Sequence, residues 1–475
     1  MKNIFLLLVI LIATILFVGC NNAGKNENSS EKNGKIVIWQ TETDPQAIDT
    51  LKAIIGRFEK IYSINVELES VPWNSLANKL AIAINTNNVP DISHLEPFMT
   101  WSIASKDLLL PIDDVISQIE KENNDSILRS VKDLQLYGEH RYGIAYAVGV
   151  TGYAYRKDIV DKLGLQIPQN WDELIIFLEK VHKYSGGKLK VLLPGGDPFF
   201  IDQLYAELLA NNGGKLFDPN TLNPLLDAKE SIEVLKFFKE ISPYVDESWQ
   251  NTKYLDQFNR LGRGDAILVP VTYVRAAKSI ERTISELGKE YSLQATPEYF
   301  GLMRQPVGWS YHGESISTID CEPFVIFKES DMRNIGNKKA SYYAKEFLKY
   351  FYLQKNYIQF VKTVPIHLTP IFKNMASGDS TYLNAKLIKT WQPWQQFCQD
   401  HLNDPNSVRP ILMPDGDPKS KEIPFLLDFQ AKNILTEAVN DVIYNHLTPE
   451  KAASIAQTKA LSLLQNLGYE TTRYK

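Results

Sequence analysis

Two periods of apolar residues alternate along this chain. Lys35-Ile36-Val37-Ile38-Trp39 is a short apolar run rich in β-branched residues, which predicts a buried strand. Asp44-Pro45 then opens a helix on which Ile48, Leu51, Ile55, Phe58 and Tyr62 recur at spacings of three and four. Ile64, Val66 and Leu68 alternate and predict a second strand. Strand, helix and strand in quick succession make a βαβ unit, which implies parallel pairing. Trp73 to Ile84 predicts another helix and Asp91 to Leu95 a third strand, so the first part of the chain is an α/β lobe. Gly143 to Tyr155 is extended and aromatic in pattern. Trp171 to His182 predicts a helix capped by Asn170, with Asp172 and Glu173 in its first turn. Phe199 to Asn211 predicts another, ended by Asn212-Gly213-Gly214. Ala266 to Val269 reads as a buried strand. Ile434, Leu435, Val439, Val442 and Ile443 mark a late helix, and Thr448-Pro449-Glu450 starts the last one.

The N-terminus carries a different pattern. Met1-Lys2-Asn3 is a short basic start, and Ile4 to Val18 is apolar apart from the small residues Ala13 and Thr14. The run ends at Gly19-Cys20 and is short for a membrane span, which needs about 20 apolar residues. A basic start, an apolar middle and a small residue at the cut describe a secretory signal peptide over residues 1–19. Leu16-Phe17-Val18-Gly19-Cys20 resembles the bacterial lipobox, with Phe17 where Leu is usual. That resemblance implies diacylglycerol on the Cys20 thiol, cleavage before it, and a body held outside the cytoplasm. Residues 20–34 are too polar to bury a core and read as a flexible tether.

Composition narrows the picture. The length beyond residue 19 exceeds what one core usually holds and implies two lobes. With 44% hydrophobic and 23% charged residues the chain has the balance of a globular protein. A net charge of −5 and no basic patch argue against nucleic acid as a partner. Beyond Cys20 only Cys321 and Cys398 remain, and they are read as two separate buried thiols. No Cys or His pair stands at ligand spacing, so neither a metal nor another cofactor is expected.

The order of several segments then becomes specific. These are Val89-Pro90-Asp91-Ile92, Leu109-Leu110-Pro111-Ile112-Asp113, Tyr142-Gly143-Ile144-Ala145-Tyr146 and Tyr155-Arg156-Lys157-Asp158. Pro168-Gln169-Asn170-Trp171-Asp172-Glu173-Leu174, Gly264-Asp265-Ala266-Ile267-Leu268 and Leu447-Thr448-Pro449-Glu450-Lys451-Ala452 follow in turn. Together they resemble the extracellular solute-binding proteins of ABC importers, in the branch of maltose- and oligosaccharide-binding proteins. The resemblance implies an α/β, two-lobed, periplasmic-binding-protein-like fold. Each lobe would be a mostly parallel sheet flanked by helices, with the ligand cleft between them. It sets one lobe at 35–145 and 316–365, the other at 146–315 and 366–475. It further implies a monomer that captures a sugar or oligosaccharide, and permease subunits of an ABC transporter as partners. Ligand closes such lobes only through contacts that differ between open and closed states.

A sugar offers apolar C–H faces to aromatic rings and a rim of hydroxyls to carboxylates, amides and Arg. Ligands of open α/β sheets collect at the carboxyl ends of strands. Trp39, Glu42 and Thr43 follow the first strand, and Glu96 follows the third. Asp197-Pro198-Phe199 resembles a sugar-contacting segment of the family, with Gly195-Gly196 before it to allow close backbone approach. By the same resemblance Tyr273 takes the place of a ligand-stacking Trp. Trp309 and Tyr311, in a polar glycine-flanked stretch, and Arg409 before Pro410 complete the candidate set. Trp391 and Trp394 fall on an expected helix and are read as packing residues.

The competing class is a secreted glycoside hydrolase or lyase, which needs two carboxylates at a defined separation. No G-x-S-x-G or H-E-x-x-H motif occurs, the seven His are scattered, and Asp415-Gly416-Asp417 reads as a turn rather than a calcium loop. The sequence therefore favours a binding protein with no catalytic residues.

Overall fold

The computed structural model describes residues 34–272, 275–288, 292–378, 380–404, 408–410 and 423–470. Cys20 with its signal peptide and most of the tether, Tyr273, and Asp415 to Asp417 lie outside the described residues.

The first βαβ unit forms as its periodicity predicts. Strand β1 (Lys35–Gln40) leads into α1 (Pro45–Tyr62), and β2 (Asn65–Ser70) returns beside β1 in parallel. Asp44 caps α1 by accepting from the amides of Gln46 and Ala47, and Leu51, Ile54, Ile55 and Phe58 are its buried face. Helix α2 (Trp73–Asn85) leads to β3 (Ile92–His94), which joins the other edge of β1, again in parallel. Helix α3 (Pro97–Ala104) follows and is buried throughout. Asp91 ties these pieces together: its carboxylate accepts from the Val37 amide at 2.8 Å and pairs with Arg333.

Beyond α3 the chain supplies β4 (Gly143–Ala145), the long β5 (Gly149–Arg156), α4 (Trp171–Ser185) and β6 (Lys190–Val191). Helices α5 (Pro198–Ala210), α6 (Lys229–Ile241) and α7 (Tyr254–Arg263) come next, then β7 (Ala266–Thr272) and α8 (Arg275–Leu287). Strands β8 (Phe300–Met303), β9 (Ser317–Asp320) and β10 (Pro323–Ile326) precede α9 (Ala340–Phe351) and α10 (Gln354–Val361). The chain then forms α11 (Gln392–Asn403), β11 (Val408–Pro410), α12 (Ile434–Ile443) and α13 (Pro449–Asn466).

These strands build two sheets. One runs β2-β1-β3-β10-β4, the other β11-β9-β5-β7-β6, with β8 also paired to β5. The parallel expectation holds for β1 with β2 and β3, for β9 with β11 and for β6 with β7. The strands that come in from the other sheet run antiparallel to their neighbours: β10 against β3 and β4, and β5 against β7, β8 and β9. The chain crosses between sheets at Tyr146–Val148 and returns at Cys321–Glu322, where the Tyr146 amide donates to the Glu322 carbonyl at 3.1 Å. The sequence reading places this return at residue 316. Ser317–Asp320 still pairs in the second sheet, and a strand this short and polar carries no sequence signal of which sheet it joins. A third segment runs beside the first crossing, with the Val148 amide donating to the Thr369 carbonyl at 3.0 Å.

Cys321 and Cys398 are both buried and are not bonded to each other, matching the reading of two separate thiols. Burial pushes the Cys398 thiol well above its ordinary pKa. Trp391 and Trp394 are buried against one another, 4.5 Å between ring centroids, and pack the start of α11.

Candidate functional site in the cleft between the sheets

A cavity of about 360 Å³ opens between the two lobes. One wall is built from the carboxyl ends of the three parallel strands. Thr41 and Thr43 follow β1; Pro72, Trp73 and Asn74 follow β2; Glu96 follows β3. The opposite wall is the start of α5, with Asp197, Phe199, Phe200 and Gln203, and the start of α7, from Lys253 to Asp256. Glu322 from the return crossing and His367 from the third segment also line the cavity.

The aromatic part bridges the lobes. Phe199 stacks on Trp73 at 6.0 Å and 12°, and on Phe98 at 6.5 Å and 23°. Phe200 stacks on Tyr254 at 3.8 Å and 8°, which joins the starts of α5 and α7. Local sequence explains both positions: Pro72 and Pro198 each force extended backbone before a helix, so the next aromatic projects from a first turn.

Polar groups complete the site, some buried behind it and some at its rim. Tyr146 donates to the Glu322 carboxylate, and Nε2 of His94 lies 3.3 Å from Oε2 of the same group. The other nitrogen of His94 meets the Thr41 hydroxyl. Asp197 accepts from the Tyr254 amide at 2.8 Å, while Lys253 donates to the Gly196 carbonyl at 2.7 Å and stands 3.4 Å from the Asp197 carboxylate. These bonds hold α7 against α5 and present carboxylate, amide and imidazole groups to the cavity. The arrangement suits a ligand that offers both apolar faces and hydroxyls.

The candidates named from sequence separate into groups. Thr43, Glu96, Asp197 and Phe199 line the cavity. Glu42 stands just behind it: Oε1 accepts from the amides of Thr43 and Asp44 at 2.7 and 2.8 Å, and Oε2 is 4.0 Å from Nε2 of His367. Trp39 is seated elsewhere, 6% exposed in the core with the Lys79 ammonium 4.3 Å over its ring. Trp309 is also seated elsewhere. It donates to Asp172 at 2.8 Å and packs edge-on to Trp171 at 5.0 Å, among α4 and its neighbours. Tyr311 lies beside Gly213 rather than on the cavity wall, and Arg409 sits half-buried in β11. The polar setting of Trp309 in sequence reflects a surface seam of the second lobe, which looks the same as a cleft loop in one dimension.

Sequence reasoning missed Trp73, Phe200, Gln203, Tyr254, Glu322 and His367. The position of Trp73 directly after a strand was a usable signal; Tyr254 and His367 carried none. Gly195 and Gly196 do allow close approach, but of protein. A Cβ at Gly195 would stand 2.4 Å from the Trp249 ring, and one at Gly196 3.0 Å from the Asn251 backbone.

Two α/β lobes, three linking segments and a ligand-sized cavity between the lobes define a two-lobed cleft-binding protein of the periplasmic-binding-protein type. The model of the bacterial extracellular solute-binding protein family matches residues 44–357, and the chain belongs to that family. A putative ABC transporter periplasmic-binding protein of Escherichia coli is 24% identical over 247 residues, 51% of this chain and 55% of that protein. The maltotriose-binding protein of Pyrococcus abyssi is 26% identical over 229 residues, 47% of each chain. The chain thus spans about half the length of these curated relatives. Among solved structures, a solute-binding protein of Agrobacterium radiobacter in complex with ribitol superposes with a TM-score of 0.70 at 16% identity, over 91% of this chain and 99% of that one. The maltose-bound MalE3 of T. maritima superposes with a TM-score of 0.67 at 16% identity, over 90% and 100%. At such identities these superpositions establish the fold. Among the described residues no helix is long and apolar enough to cross a membrane.

Proposed function

We propose that this chain captures a sugar or oligosaccharide between its lobes outside the cytoplasmic membrane and delivers it to the permease of an ABC importer. The observation that carries this reading is the interlobe cavity, where Trp73, Phe199, Phe200 and Tyr254 stand beside Glu96, Asp197, Gln203 and Glu322. Rings shield the C–H faces of a sugar, and the polar groups match its hydroxyls. The names of similar proteins, maltotriose-binding and maltose-bound among them, agree with a sugar. Glycoside hydrolysis has no such support from relatives, so one reading is kept.

The protein works as a monomer tethered by lipid at Cys20, with residues 20–34 as the leash. Its lobes divide at the crossing segments, 35–145 with β10, α9 and α10 on one side, and the second sheet with its helices on the other. A thermal-shift screen of mono-, di- and oligosaccharides tests capture, since a ligand that binds the folded state raises its apparent stability by mass action. At least one sugar should raise the melting temperature, and Phe199→Ala should abolish that shift. No shift with any sugar, or release of cleaved product, overturns the reading. For the anchor, Cys20→Ala should move the protein from the membrane fraction to the soluble one.

A further inference from the structure

Helix α7 forms part of the cavity wall with its first turn, and its polar face continues beyond the cleft. Tyr254, Gln257, Phe258 and Leu261 are its buried side, so Asp256, Asn259, Arg260 and Arg263 fall together on the other. Over that face lies a second depression of about 270 Å³, bordered also by Ser248, Asn251 and Thr252. Asp256 lines both the cleft cavity and this depression. The two differ in chemistry: the cleft is walled by four aromatic rings, whereas every residue around the second hollow is polar.

Three polar groups of the hollow, Arg260, Arg263 and Asn259, are held in place. Arg260 donates to Asp246 at 2.7 Å, and Nε of Arg263 stands 3.3 Å from Asp265. Each guanidinium has five N–H donors, so donors remain after these bonds. Asn259 accepts from Arg282 and Thr283 at 3.2 Å each; among the described residues no partner takes its amide N–H groups. Donors fixed in advance lose little entropy when a ligand arrives. The cleft cavity, at about 360 Å³, is near the lower end of the roughly 300–1,000 Å³ found for small-ligand sites.

We infer that the ligand is an oligosaccharide longer than the cleft, whose outer rings leave past Asp256 and lie in the polar trough over α7. This rests on the sugar reading of the cleft and adds the length of the sugar to it. Inner rings stack on Trp73 and Tyr254; outer rings are held by their hydroxyls alone, at Asn251, Asn259 and Arg263. The trough is solvated, so it contributes length preference more than raw affinity.

The test is calorimetric titration of the mature chain with a panel of homologous glycans of two to five rings, in several linkage series. In the series that binds, affinity should rise at least about tenfold, roughly 1.4 kcal/mol, from disaccharide to tetrasaccharide. A double variant, Asn251→Ala with Arg263→Ala, should keep disaccharide affinity within about twofold and lose that rise. Both residues are exposed, so the ligand-free melting temperature serves as the folding control. Equal affinity for disaccharide and tetrasaccharide overturns the trough while leaving the cleft reading intact, as does a rise that survives in the double variant. No binding of any glycan overturns both.

Discussion

Two buried carboxylates on α5 show how a single residue type can depart from its usual behaviour. Asp202 accepts from the amide and hydroxyl of Thr436 at 2.8 and 2.7 Å, and Glu207 accepts from the Thr151 hydroxyl at 2.6 Å. Burial pushes both up to about 7, and the hydroxyl bonds offset only part of it. In the unfolded chain both titrate near the ordinary carboxylate value of about 4. Between roughly pH 4 and pH 7 the folded protein therefore holds protons that the unfolded chain has released. Their contribution to stability falls as pH rises through that window and stays reduced above it. Glu207→Gln removes one such group, so in urea unfolding the variant should gain on the parent as pH goes from 5 to 8. A difference that stays constant with pH would show that Glu207 does not titrate in this range. Candidate residues were legible at this scale where they followed a strand closely, as Thr43 and Glu96 do, or stood in a family-like segment, as Asp197 and Phe199 do. His367 and Tyr254 reach the cavity from distant parts of the chain, and no local pattern reports that.

At the scale of elements, caps and periodicity decided most of the outcome. Helix α4 begins where sequence places it because Asn170 accepts from the Glu173 amide at 3.0 Å while Glu173 accepts from the Gln169 amide at 2.8 Å. Asn170→Ala should cost about 1 kcal/mol in urea unfolding. A loss near zero would mean that the buried Trp171, Leu174 and Phe177 alone set the helix start. Helix α13 starts in the same manner, with the Thr448 hydroxyl accepting from the Lys451 amide and Pro449 at the first position. Strand pairing was less legible. The apolar run at Ala266 is a strand in both readings, yet only tertiary structure pairs it with β5 in antiparallel register.

For the whole molecule, the relation between lobes is the variable that matters. Lys278 on α8 reaches across to the first lobe, donating to the Asp44 carboxylate at 2.7 Å and the Thr363 carbonyl at 2.8 Å. Asp44 is also the cap of α1, so one carboxylate both starts a helix and receives a cation from the other lobe. Lys278→Met should favour the open arrangement, because the closed one loses this bridge. Small-angle scattering should then report a larger radius of gyration. Apparent sugar affinity should drop several-fold, in proportion to the closed fraction lost. An unchanged radius and affinity would remove Lys278 from closure. The Trp73–Phe199 stack is a second bridge, and it should open in the same experiment with Phe199→Ala.

The sequence by itself determined the first βαβ unit, the helices opened by Asp44, Asn170 and Thr448, the strand at Ala266 and the family. These depend on local periodicity, on capping chemistry and on the order of short segments, all of which are written along the chain. Tertiary structure decided which face of each element meets the cleft. It moved Trp39 into the core and Trp309 onto α4, placed the return crossing at Cys321–Glu322, and brought Trp73, Tyr254 and His367 to one cavity. The reason is physical: a cleft is made by two surfaces meeting, and residues far apart in sequence share it through packing that no local pattern encodes.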